Sequence, residues 1–157
     1  MEALDHRQRA ERIERSIAKC GDADHEMKIE GAMLAGTHWV NFILHRMGVT
    51  RGDADLMHSY MLTVNELRKY SVADAEMMAA IAEIEDIRPA HVRGNVPGGP
   101  AAAKRALELL ATLRAKAHKL FVLTRKRSRL WRQNTITPLA FLPDCMSANA
   151  CGASSTE

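Results

Sequence analysis

Apolar residues recur every three to four positions along most of the chain, the spacing of helices with one buried face, and no segment has the alternation of a convincing strand. Residues 2–20 carry mixed charge around a thin apolar line of Leu4, Ile13 and Ile17, which predicts an amphipathic helix ended by Gly21. A second helix, capped by Asp22 or Asp24, keeps Ile29, Met33, Gly36, Val40, Ile43 and Met47 on a heptad-like face until Gly48 stops it. Asp53 can cap a third, from Ala54 to Tyr70, that buries Leu56, Met57, Tyr60, Met61, Val64 and Leu67. Ser71 or Asp74 starts a fourth, bearing Met77, Met78, Ile81, Ile84 and Ile87, which should end by Arg88 because Pro89 disfavours the α region before it. A loop from Pro89 to Gly99 then leads to a fifth helix with Pro100 in its first turn and Leu107, Leu110, Leu113, Ala117, Leu120 and Phe121 near one face. Short connections make successive helices antiparallel, so the expected fold is all-α, an up-and-down bundle of about five helices.

Composition fits this picture. The 157 residues are 46% hydrophobic, but the core must be built from aliphatic residues and nine methionines, with only two Trp, two Tyr and three Phe. That balance favours packed helices over a sandwich or barrel. Beyond about residue 125 the apolar pattern decays, giving a helical bundle domain over 1–124 and a basic segment with a flexible tail over 125–157. No run of about 18 apolar residues and no signal-peptide pattern occurs, so no membrane segment is expected. Cys20, Cys145 and Cys151 match neither a disulfide framework nor a CxxC motif, which fits a reducing cytoplasm.

The chemistry-bearing residues form four groups. His38, Asn41 and His45 fall at i, i+3 and i+7 on one stripe of the second helix, opposite the heptad-like face. They suit a groove for a phosphate, a metal or a nucleobase, or form the wetter side of the helix. Arg51 and His58 have the spacing of a pair that holds a phosphate and acts as general acid or base; a solvated Arg and a packed His are the alternative. Arg88, His91 and Arg93 crowd the Pro89–Gly99 junction, either as an anion or RNA-backbone site or as pins that pair with Glu85 or Asp86. Lys104 and Arg105 stand near the amides that open the fifth helix. The run Arg125, Lys126, Arg127, Arg129, Trp131 and Arg132 has the make-up of a nucleic-acid strap, or of a solvated helix end. Neither a His-Glu-x-x-His nor a pair of Glu-x-x-His motifs is present, and no metal or cofactor is expected.

The helix AMLAGTHWVNFILHRMG, the following DADLMHSYMLTV, and EIEDIRPAHVRG leading to ALELLATLRAKA resemble, over roughly residues 5–120, the HEPN superfamily of small helical bundles. The resemblance rests on helix order, a small-residue-rich second helix with Leu-His near its end, and an Arg-bearing turn before the last core helix. It implies a bundle that dimerises and binds RNA. Active members cut RNA with an Arg and a His separated by four to six residues, often as toxins paired with a nucleotidyltransferase-like antitoxin. Only Arg51 and His58 have that spacing here, between the second and third helices instead of near the last core helix. The expected function is therefore binding, of RNA or a protein, by a cytoplasmic homodimer with Arg88, His91 and Arg93 at its surface. A metal-independent, toxin-like ribonuclease using Arg51 and His58 is the alternative, and a purely structural dimerisation bundle is the third.

Overall fold

The computed structural model describes residues 1–94 and 96–133, with side chains described as far as Leu123. Over the described residues the chain is an all-α bundle without strands: α1 (Ala3–Ile17), α2 (His25–Arg46), a 3₁₀ turn (Ser59–Met61), α3 (Val64–Ala73), α4 (Ala75–Arg88), a π turn (Pro89–Arg93) and α5 (Gly99–Gln133). No helix among them is long and apolar enough to cross a membrane.

The central helix is α2, packed against α1, α4 and α5. It supplies Ile29, Met33, Trp39, Val40, Phe42, Ile43 and Leu44 to a core completed by Met77, Ile81 and Ile84 of α4 and Leu110 and Leu113 of α5. Small residues let the axes approach: Ala32, Ala35 and Gly36 of α2 are buried, as are Ala103, Ala106 and Ala117 of α5. A Cβ at Gly36 would stand 3.0 Å from Ile81 Cδ1 and 3.2 Å from Leu113 Cδ1, closer than normal packing tolerates. Helices α1 and α2 run antiparallel, as do α4 and α5. Ile17 lies beside Gly31 while His6 reaches His38, and Glu83 and Asp74 of α4 pair with Arg105 and Lys116 of α5. Gly48 takes φ +71° just beyond α2, a left-handed conformation that ends the helix cheaply only for glycine. Asp74 caps α4 by accepting from the Met77 N–H at 2.9 Å.

Three sequence expectations are corrected. The third helix does not start at Ala54, because side chains claim the backbone groups that helix would need. Asn41 accepts from the Leu56 N–H and donates to the Leu56 carbonyl, both at 2.7 Å, and Glu85 accepts from the Ser59 N–H at 2.9 Å. The helix begins only at Val64, where Thr63 and Glu66 form a reciprocal capping box. As a result, Leu56 is buried, but Met57, Tyr60, Met61, Val64 and Leu67 are exposed. Second, Pro89 does not open an irregular loop: with Arg88 and Pro89 both in the right-handed helical region, the chain turns on as a π turn closed by the Gly94 N–H on the Pro89 carbonyl. Third, the buried line of α1 is His6, Ala10 and Ile17, with Leu4 outside it and 53% exposed.

Helix α5 runs through position 124, where the sequence places the end of the bundle domain. The side chains of the Arg125–Arg132 strap lie outside the described ones, and the expected tail with Cys145 and Cys151 lies outside the described residues.

Candidate functional site

Two polar clusters are built into the bundle among the described residues, one near the end of α2 and one where α4 meets its first half. The first gathers the stripe His38, Asn41 and His45 with two residues that no periodicity flagged, His6 of α1 and Asp55 of the connection after α2. The stripe is not the wetter side of the helix. Asn41 is 1% exposed, and the side chains of His6 and His45 are 2% and 6% exposed. Asp55 Oδ1 sits between two imidazoles, 3.2 Å from His6 Nε2 and 2.8 Å from His45 Nε2. Its Oδ2 accepts from the Met1 ammonium at 3.1 Å, and that ammonium also donates to the Gly52 carbonyl. The outer nitrogens are occupied too: His45 Nδ1 is 2.9 Å from Thr50 Oγ1, and His6 Nδ1 is 2.9 Å from His38 Nδ1.

Burial lowers the His6 pKa despite the nearby Asp55, and lowers that of His38 to about 4, aided by His6 and Arg9. For Asp55, burial pushes upward, but hydrogen bonds from His45, the terminal ammonium and His6 outweigh it and leave the carboxyl below its ordinary value. At neutral pH the Asp55 carboxylate thus faces a neutral His6, with a neutral His38 behind it.

The second cluster joins residues that sequence reading placed in separate groups. Glu85, 7% exposed on α4, accepts from both the backbone and the hydroxyl of Ser59, and His58 Nδ1 lies 3.1 Å from its Oε1. The Tyr60 ring stacks on His58, centroids 5.0 Å apart and planes 20° from parallel. One turn beyond Glu85, Arg88 grips Glu30 of α2 through Nε and through Nη2, the latter at 2.8 Å. That pairing is what keeps Arg88 firmly charged, and Tyr60 and Glu85 lie within its electrostatic reach. His91, on the π turn, has a buried Nδ1 with no partner among the described residues, while Arg93 is exposed.

The remaining candidates separate. Arg51 lies exposed in the turn after α2, and among the described residues no contact joins it to His58. Arg105 is paired with Glu83 through bonds of 2.6 and 2.9 Å. Lys104 lines a groove of about 540 Å³ between the starts of α2 and α5, where Lys28 and Lys104 are balanced by Asp22 and Glu108, which is not a phosphate cradle.

Around the second cluster, α3 and the 3₁₀ turn carry an apolar strip. Tyr60 is 73% exposed, Met61 68%, Met57 67%, Val64 65% and Leu67 44%, far more than single surface hydrophobics require.

Compared with protein-family models, curated proteins and solved structures, the chain finds no match in any of the three. The class that fold and site define is thus a helical bundle with one buried and one half-buried polar cluster and an exposed apolar strip.

Proposed function

We propose that the protein is a non-catalytic, HEPN-like binding module that pairs with a second copy of itself through the strip Met57, Tyr60, Met61, Val64 and Leu67. The observation that carries this reading is the exposure of five large apolar side chains within the one short stretch from Met57 to Leu67, where other exposed hydrophobics of the described residues are scattered along the chain. A second copy suits the strip because its polar border is self-complementary. Glu66 and Arg68 flank Leu67 on opposite sides of α3, so a two-fold axis running along α3 at Leu67 sets the acid of each copy against the Arg68 of the other. Arg88 serves this surface from beneath: clamped to Glu30, it braces the end of α4 on α2, and Arg93 is left as the exposed cation for a partner or RNA. The paired variant Met61→Lys/Leu67→Lys should sediment as a monomer while keeping its helical circular dichroism, with the wild type sedimenting as a dimer. A folded variant that stays dimeric rules the strip out.

A second reading is favoured by one observation, the fixing of His58 by Glu85. A carboxylate that holds Nδ1–H orients an imidazole as a general acid or base toward its other side. With Tyr60 stacked and exposed beside it, the arrangement suits metal-independent cleavage of RNA. Arg51 has no visible share in it; Arg88 is the cation within reach of the site. Total RNA incubated with EDTA tests this: cleavage that disappears in His58→Ala supports it, and undiminished cleavage in that variant ends it.

A further inference from the structure

We infer that His6 Nε2, His45 Nε2 and Asp55 Oδ1 form a binding site for a divalent transition-metal ion of the zinc type, which ties the start of α1, the end of α2 and the connection after it together.

The argument begins with spacing. The three atoms lie within 4.8 Å of one another, and two of the pairs are 2.8 and 3.2 Å apart. Tetrahedral zinc, bound at about 2.0–2.2 Å to imidazole nitrogen and carboxylate oxygen, holds its ligand atoms about 3.4 Å apart. Widening these two pairs by about 0.6 and 0.2 Å and setting the two imidazole nitrogens, at most 4.8 Å apart, at the same spacing admits the ion, and a water completes four-coordination. Two imidazoles in a three-donor set select a first-row transition metal over magnesium or calcium, which prefer all-oxygen cages.

The outer partners make the site switchable without a buried polar group being left unpaired. Without metal, the carboxylate can only accept, so His6 and His45 carry their protons on Nε2, and their Nδ1 atoms accept from His38 Nδ1–H and from the Thr50 hydroxyl. With metal, each ligand keeps one proton, moved to Nδ1, and donates it to His38 Nδ1 or Thr50 Oγ1. His38 then carries its own proton on Nε2. A ring nitrogen and a hydroxyl both serve in either sense, as the orienting partners of metal-bound histidines do. The Met1 ammonium holds Asp55 Oδ2, which leaves Oδ1 directed at the two imidazoles.

The test uses the whole chain, untagged, with its cysteines alkylated and metal removed by EDTA and dialysis. Zinc chloride is then titrated in by calorimetry and by thermal melting. The expected result is one zinc per chain, with a Tm that climbs with the logarithm of free zinc. Binding should be lost in His45→Ala and in Asp55→Asn and retained in His118→Ala, an exposed histidine of α5. Long-range nitrogen–proton NMR of the wild-type imidazoles should show two rings change from Nε2–H to Nδ1–H as zinc is added, a readout that stands even if a variant fails to fold. A folded wild type that takes up no zinc at one site, binding that survives both ligand substitutions, or imidazoles that do not change tautomer overturns the inference.

Discussion

Asn41 is the residue on which the connection after α2 depends. Its amide binds the Leu56 backbone through both N–H and carbonyl and also donates to the Thr37 carbonyl at 3.1 Å. With Asn41 and Leu56 both buried, no water can replace it. Asn41→Ala strands two backbone groups in the core, at about 1–3 kcal/mol each, so a loss of about 2–6 kcal/mol is expected in urea unfolding. Asn41→Asp separates the two bonds, since a carboxylate still accepts from the Leu56 N–H but cannot donate to the Leu56 carbonyl. It should destabilise as well, and a variant as stable as wild type would show that the pairing contributes nothing. By anchoring Leu56, Asn41 also sets where Asp55 and His58, on either side of it, can reach.

At the scale of elements, α3 shows what the sequence conveys and what it conceals. Its start is written in the Thr63-x-x-Glu66 motif, which an apolar-period reading from Ala54 overrode. The Glu66 carboxyl is held below its ordinary value, first by the Thr63 hydroxyl and then by the Thr63 N–H. A depressed carboxylate stabilises the fold above its unfolded pKa, and that contribution is lost as pH falls through its folded value. Thr63→Ala should therefore weaken α3 at neutral pH, with the gap from wild type narrowing once acid protonates Glu66. Helicity measured from pH 7 down to pH 3 checks this, and a gap that stays constant would assign the effect to helix propensity alone. His6 was equally concealed, although it falls in register with Ala10 and Ile17 on the buried side of α1; among charged neighbours a histidine does not announce burial. Asp55 left no periodic signal because it lies between helices. The remaining helices were legible because each combines an apolar 3.6-residue period with Gly, Pro or Asp punctuation.

For the whole molecule, the bundle explains its own core but not its outer strip. Helix α3 packs chiefly on α4, turning Tyr70 inward at 5% exposure while Val64 and Leu67 face out. In the proposed dimer a second copy of the chain would bury both strips at once and leave the His6, His45 and Asp55 cluster open to the proposed metal in each protomer. The most direct measurement is the molar mass of the wild-type protein by sedimentation equilibrium over a range of concentrations. A mass rising with concentration from the chain's 17.4 kDa toward twice that value is the expected result of the proposed dimer. A mass of one chain throughout the range would contradict it.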